Sequence, residues 1–137
     1  MKDRKHPLWL WPVIFIAFVF GVITIKSGGA VIFFDGSARE AAGNYVNFVV
    51  WFNFFAGFLY ILAGIGFLLN KEWTARLAAI IAAATVFIFA VLGIHILMDG
   101  SYESRTIIAM IFRSVIWISI AYAAYVIADR NKNELLT

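Results

Sequence analysis

The sequence contains no cysteine among its 137 residues, and this absence excludes several kinds of chemistry. Disulfides, thiolate metal sites and thiol redox relays all need cysteine sulfur. Four-helix membrane thiol oxidoreductases depend on paired cysteines, so this chain cannot carry out their reaction.

Histidine is also scarce, with His6 and His95 the two copies. A bis-histidine haem needs two imidazoles at compatible depth, but these two lie near opposite membrane surfaces of the predicted protein. One histidine and one aspartate fall short of a closed metal site. No Gly-rich phosphate loop, nucleophile elbow or HExxH motif occurs. The motifs therefore predict no metal and no resident cofactor, with a quinone left open as an alternative.

Charged residues make up 14% of the chain, whereas apolar residues make up 64% and the mean hydropathy is +0.91. Soluble domains are roughly 45–50% apolar, so a soluble core of this size could not bury so much apolar surface. The basic residues lie at the ends of the apolar segments rather than on one face, which argues against a nucleic-acid partner. The chain is predicted to be an integral membrane protein in contact with the lipid bilayer.

Four apolar segments, each close to the ~20 residues that cross a bilayer as a helix, use up most of the length. The predicted spans are residues 8–25, 46–69, 73–98 and 106–128. A cleaved signal peptide is the alternative for the first, although its apolar run exceeds the usual ~7–15 residues. The predicted fold is all-α: one transmembrane domain over residues 1–137, built as an up-down four-helix bundle.

The longest connection, residues 26–45, contains four glycines and a short apolar island at 30–34. The island is too short to cross the membrane, so we expect it at the interface or against the mouth of the bundle. Small residues at every third or fourth position mark predicted helix contacts. In the third span these are Ala75, Ala79, Ala83 and Ala90, and in the second span Asn53, Gly57, Tyr60 and Gly64 share the face that is predicted to point inward.

Lysine and arginine set the predicted orientation, because they are enriched near span ends on the cytoplasmic side. The side that holds both termini receives seven: Lys2, Arg4, Lys5, Lys71, Arg76, Arg130 and Lys132. The other side receives three: Lys26, Arg39 and Arg105. We therefore expect a multi-pass protein of the cytoplasmic (inner) membrane with both termini in the cytoplasm.

Polar groups inside the spans are the candidates for a ligand-binding site, because a charge in hydrocarbon is costly unless it serves a purpose. At ~1.5 Å per residue, Arg113 and Asn53 each lie about 10 Å below the outer ends of their helices, and His95 lies about 5 Å below. The hypothesis is a polar pocket in the outer half of the bundle. Its members are Asn53, His95, Asp99 and Arg113, with Lys26 and Glu103 at its mouth.

Each member also has a structural interpretation, which the sequence leaves open. Arg113 can extend to lipid phosphate or pair with a carboxylate. Asn53 can form an interhelical hydrogen bond, and His95 can face the headgroups. Asp99 can serve as a turn residue, and Lys26 can mark the membrane surface.

The chain resembles the DoxX-like group of small four-helix membrane proteins, which includes the methylamine-utilisation protein MauE and the small subunit of thiosulfate:quinone oxidoreductases. The matching features are Gly21 and Lys26 followed by Ser-Gly-Gly, the run FFAGFLYILAGIGFLL leading through a basic turn into TARLAAIIAA, and a late His95 in the third span. Gly64 also matches, whereas Arg113 is not part of the pattern. The resemblance covers most of the chain. It implies a four-helix fold and an association with electron-transfer or envelope redox machinery, and it carries over no catalytic residue.

The expected function is an accessory or assembly subunit whose outer polar pocket docks a small ligand or a protein partner; an enzymatic role is less favoured but stays open. A homo-oligomer is also open. One alternative is a quinone-binding electron-transfer subunit in which His95 and Arg113 hold the quinone headgroup. Another is a transporter of a small solute or protons, which would depend on the intramembrane charge.

Overall fold

A computed structural model describes residues 8–34 and 36–136, without the side chains of Ile127 and residues 130–136. The helices are α1 (Leu10–Phe33), α2 (Ser37–Ala42), α3 (Asn47–Leu68), α4 (Trp73–Leu97) and α5 (Ser104–Leu136). No strand occurs in the described ranges. All helices except α2 are long and apolar enough to cross a membrane, α5 through its part Ser104–Val126. The protein is therefore an all-α, multi-pass membrane protein, as predicted.

The first helix is longer than predicted: it continues past residue 25 and ends at Phe33. Gly28, which the prediction placed in the connection, instead lies within α1 and lets this helix approach α3. A Cβ on Gly28 would lie 3.2 Å from the Cβ of Phe54, which is tighter than an ordinary packing contact. The apolar island at 30–34 therefore falls mostly within the last turns of α1 rather than in a loop. The connection that follows contains the short helix α2, which was not predicted.

The four long helices form two closely packed pairs, α1 with α3 and α4 with α5. The first pair meets through glycine: a Cβ on Gly57 would lie 3.0 Å from the carbonyl oxygen of Gly21, so only hydrogen fits at that position. The α3–α4 turn links the two pairs. Across the described part of the chain, α5 approaches α1 and α3 mainly through long side chains rather than backbone contact.

The buried face of α4 differs from the predicted alanine stripe. Besides Thr74, its buried small residues are Ala75, Ala78, Ala82 and Thr85. Ala75 is buried as predicted and Ala79 is half-buried, whereas Ala83 and Ala90 are exposed. The prediction was wrong for the later alanines because it followed a spacing of four, which drifts by about 40° per step around a helix of 3.6 residues per turn. The observed spacing of three, four and three stays on one face.

Two helices end in the same way. The N–H of Lys71 donates to the carbonyl of Gly66, and the N–H of Gly100 donates to that of His95, both at 2.9 Å. The residue before each donor, Asn70 or Asp99, has a positive φ, 53° or 62°. This is the Schellman arrangement, which satisfies carbonyls at a helix end. The turn after α4 lies at the same end of the bundle as α2, here named the α2 end.

The apolar core has two clusters. The larger one contains Tyr60 of α3 and Trp117 of α5, both fully buried and stacked, with ring centroids 4.8 Å apart and an angle of 29° between the ring planes. The smaller one, toward the α2 end, contains Met110. Arg113 therefore lies on α5 between the two clusters, three residues after Met110 and four before Trp117.

Candidate functional site

Arg113 lies near the middle of the membrane-spanning part of α5. The span Ser104–Val126 has its midpoint at residue 115, so Arg113 is two residues, or about 3 Å along the helix, from the centre. Arginine keeps its charge in proteins, and a charge at this depth costs about 3 kcal/mol or more. The surroundings of the guanidinium therefore determine whether it is tolerated.

The Arg113 guanidinium is held by groups from two other helices. Its Nη1 donates to the hydroxyl of Thr24 in α1 at 3.1 Å and to that of Tyr60 in α3 at 3.3 Å. Both acceptors are buried, with 2% and 0% of their surface exposed. The guanidinium carbon also lies 5.7 Å from the ring centre of Phe20 and 5.9 Å from that of Tyr60, within cation–π range.

This environment is polar but electrically neutral. No described carboxylate pairs with Arg113, and its contacts with described residues use hydroxyls and ring faces. None of the four membrane-spanning segments contains an aspartate or glutamate. The charge of Arg113 is therefore stabilised by dipoles and aromatic rings, without a counter-ion from the described residues.

The Tyr60 hydroxyl is held rigidly in front of Arg113. The Tyr60 ring stacks on Trp117, which itself is fully buried. On the other side, the Phe20 ring meets that of Phe112 edge to face at 5.6 Å, joining α1 to α5 beside the guanidinium. Aromatic contacts of this kind fix ring positions, so the acceptor and the cation keep their geometry.

A groove of about 230 Å³ opens between α3 and α5 at the α2 end. Its polar lining residues are Tyr45, Asn53, Glu103, Arg105 and Thr106. Glu103 Oε1 accepts a hydrogen bond from the N–H of Asn44 at 2.8 Å, and Arg105 Nη2 donates to the carbonyl of Ala41 at 2.7 Å. These bonds hold the segment after α2 against the start of α5 and fix the mouth of the groove.

Asn53 is the unsatisfied group in this groove. Its amide oxygen is buried and has no hydrogen-bond partner among the residues the structure describes. A buried polar atom without a partner costs roughly 1–3 kcal/mol and calls for an explanation, such as water or a bound molecule. Asn53 therefore lines the groove, while its amide oxygen lies buried behind the surface without a described partner.

The structure brings some of the predicted site residues together. Asn53 and Glu103 line one groove, with Arg105, which was not among the predicted site residues. Arg113 follows Thr106 and Ala109 on α5 at spacings of seven and four, so the three share a face and Arg113 lies one turn beyond the residues that line the groove. Thr24, Tyr60 and Phe20 complete the site around Arg113, and of these only Tyr60 was predicted to face inward.

His95 and Asp99 belong to a different part of the molecule. The His95 Nε2 lies 3.0 Å from the carbonyl oxygen of Ser101, and its ring meets Phe48 edge to face. Asp99 is exposed and adopts the left-handed conformation that ends α4. His95 is two residues from the end of α4 and Arg113 is nine from the start of α5, a difference in depth of about 10 Å. His95 and Arg113 therefore do not share a pocket.

Lys26 is separate from both groups. It is exposed on α1 beside a shallow surface that Ile23, Ser27, Ala30, Val31 and Ala38 also line. Because α1 continues to Phe33, Lys26 lies about 10 Å below the end of that helix, within reach of the interface for a long side chain. The six residues of the predicted pocket are thus divided among a groove, a mid-membrane cation site, a helix end and an outer surface.

Comparison with known proteins leaves the family open: no family model, no curated protein and no solved structure matches this chain. The DoxX-like resemblance stays a prediction from the residues.

Proposed function

We propose that the protein is an accessory or assembly subunit of a membrane redox or electron-transfer complex, and that the groove between α3 and α5 docks its ligand or partner. The observation that carries this proposal is an open, mostly apolar groove lined by Asn53, whose buried amide oxygen has no partner among the described residues. A molecule that fills the groove and donates a hydrogen bond there removes the cost of the buried acceptor.

The pattern of basic residues supports an orientation for this subunit. Seven lysines and arginines near span ends lie on the side of the termini and three on the side of the α2 end. In this proposal the α2 end faces outward from the cytoplasmic membrane, so the groove opens toward the envelope. The DoxX-like resemblance supports the association with redox machinery.

The test uses Asn53→Leu, which replaces the amide with an apolar group of similar size. Asn47→Leu is the control, because Asn47 is an exposed residue at the start of the same helix and outside the groove lining. Tagged protein is extracted gently from its native membrane, and its co-purifying proteins and small molecules are quantified by mass spectrometry. We expect Asn53→Leu to lose a stoichiometric companion that wild type and Asn47→Leu retain. Equal recovery with all three proteins contradicts the proposal.

The second candidate is a quinone-binding subunit, and the surroundings of Arg113 favour it. A guanidinium with two hydroxyls and aromatic faces at mid-membrane depth offers hydrogen bonds and stacking to a quinone headgroup. His95 is not part of this version, because its ring nitrogen lies against the Ser101 carbonyl. Stoichiometric quinone extracted from purified wild type, and lost in Arg113→Met, would favour this candidate over the first.

A further inference from the structure

We infer that Arg113 binds the oxyanion headgroup of an amphipathic acid, a carboxylate whose apolar chain lies along the groove between α3 and α5. The inference rests on the proposed function, because it names the ligand class for the inner end of the same groove. It adds that Arg113 recognises the ligand, and that it does so through the negative charge of the ligand.

Charge is the first argument. Arg113 carries a full positive charge about 3 Å from the centre of its span, and the described residues around it are neutral. A bound carboxylate adds a counter-ion to these dipole and ring contacts, whereas a neutral ligand adds none. A second copy of this chain cannot supply it, because none of the four spans contains an acidic residue.

The unused donors of the guanidinium are the second argument. Both hydrogen bonds of Arg113 to described residues leave from Nη1. Arginine has five N–H donors in a planar fork, and Nε with Nη2 forms one side of that fork. This side matches the two oxygens of a carboxylate, which guanidinium groups bind through two parallel hydrogen bonds.

Access along the groove is the third argument. Thr106 and Ala109 line the groove on α5 and share their face with Arg113, while Val49 and Asn53 line it on α3. Asn53 is six residues below the start of α3 and Arg113 is nine below the start of α5. Arg113 is therefore about 4–5 Å deeper in the bundle than Asn53. A long molecule that enters from the α2 end and passes Asn53 would bring its headgroup to the depth of Arg113.

The surroundings of Arg113 favour a slender ligand over a partner helix. The guanidinium points to Thr24 of α1 and Tyr60 of α3, so it lies between three helices of the bundle. The Phe20–Phe112 contact joins α1 to α5 next to it. A helix about 10 Å in diameter would have to separate these elements, whereas a single hydrocarbon chain would not.

The experiment measures binding of oleate to the full-length protein by native mass spectrometry, with oleyl alcohol as a probe that has the same chain and no oxyanion. Acetate is the third probe and represents a small free carboxylate. The variants are Arg113→Met, which removes the charge, and Arg76→Met as the matched control, because Arg76 is an exposed arginine on α4. Arg113→Lys keeps the charge and loses the fork.

We expect one oleate per wild-type chain, with at least about tenfold lower occupancy for oleyl alcohol and for Arg113→Met, and no change in Arg76→Met. Arg113→Lys should be intermediate. If acetate competes with oleate at similar concentration, the oxyanion site stands and its source is a free carboxylate rather than a lipid.

Equal binding of oleate and oleyl alcohol by wild type overturns the inference, and this comparison does not depend on any variant folding. Retention of oleate by Arg113→Met also overturns it. If wild type does not bind oleate but Asn53→Leu still loses its companion, the inference fails and the proposed function stands. If wild type binds oleate selectively but Asn53→Leu keeps its companion, Asn53 is rejected as the docking residue and the carboxylate site at Arg113 is supported.

Discussion

Arg113 shows how an intramembrane charge can be held without an ion pair. One nitrogen reaches hydroxyls on two helices while ring faces flank the guanidinium, so α5 is tied to α1 and α3 at one point. Because backbone approach between α5 and these helices is limited, this single side chain contributes much of the polar contact across that seam. The residue has a structural role in addition to the ligand role inferred above.

Removing the hydroxyl of Tyr60 tests the structural role. Tyr60→Phe keeps the ring on Trp117 but deletes one acceptor, so we expect the free energy of unfolding in mixed micelles to fall by about 1 kcal/mol. The loss should vanish in an Arg113→Met background, where the donor is already absent. Tyr122→Phe is the control, because Tyr122 is 74% exposed. An equal loss from both tyrosines, or one that persists without Arg113, contradicts the assignment.

The variant Asp99→Gly distinguishes two roles for Asp99, ligand binding in the predicted pocket and termination of α4. Its φ of 62° is costly for a residue with a Cβ and free for glycine. Asp99→Gly should therefore raise the free energy of unfolding by about 0.5–1 kcal/mol and leave ligand or partner recovery unchanged. A loss of bound ligand in this variant would return Asp99 to the site, against its exposed position at the end of α4.

At the scale of the helices, the α1–α3 pair depends on the absence of side chains at the contact. In Gly57→Ala the new methyl would lie 2.7 Å from Ile25 Cγ1 and 3.0 Å from the carbonyl oxygen of Gly21. We expect a loss of about 1–3 kcal/mol in the free energy of unfolding, because backbone on both sides must move apart.

Gly93→Ala is the matched control for that variant. Gly93 also lies inside a spanning helix, but a Cβ there meets nothing within 4 Å. The change should be neutral or should raise the free energy of unfolding by up to about 1 kcal/mol, through the lower entropy cost of alanine. Similar destabilisation by both variants would show that helix propensity, not packing between α1 and α3, governs the first result.

The helices that could be predicted from the sequence were those defined by apolar length. The starts of α3 and α4 and the turn between them agree with the hydropathy pattern to within a residue or two. The end of α1 was not predicted correctly. In the sequence Gly28 resembles a helix break, whereas in the structure it lies within α1 and packs closely against Phe54. The face of α4 was misread for a related reason: small residues occur on several faces, and only the neighbours decide which face is buried.

The site was predicted only in part for the same physical reason. Intramembrane polarity identified Arg113 and Asn53, because such groups are rare and costly in lipid. Depth alone then grouped them with His95 and Asp99, although depth does not specify the direction of a side chain. Thr24 was missed because a threonine hydroxyl carries little signal in an apolar run, and its role depends on a donor 89 positions away.

At the scale of the whole molecule, the orientation proposed from the basic residues can be tested directly, because the chain has no native cysteine. Single cysteines replace Ser101, in the turn after α4, and Lys71, in the turn after α3; both positions are exposed. We expect a membrane-impermeant maleimide added to intact cells to label Ser101→Cys, and to label Lys71→Cys only after permeabilisation. The opposite pattern would invert the topology and turn the groove toward the cytoplasm.

The cation site lies near the middle of the bundle, where α1, α3 and α5 meet around Arg113. Its three components, Arg113 of α5, the Tyr60 hydroxyl of α3 and the Thr24 hydroxyl of α1, lie on three different helices. Only the assembled bundle creates the site, so a ligand there reports on the fold and the function together.

The most direct measurement is native mass spectrometry of the protein released gently from its own membrane, comparing wild type with Arg113→Met and Arg76→Met. We predict an acidic, lipid-like molecule bound one to one in wild type and in Arg76→Met, and absent from Arg113→Met. A bare wild-type chain, or a bound molecule that Arg113→Met keeps, would contradict the central claim and leave Arg113 as a structural link between α5 and the α1–α3 pair.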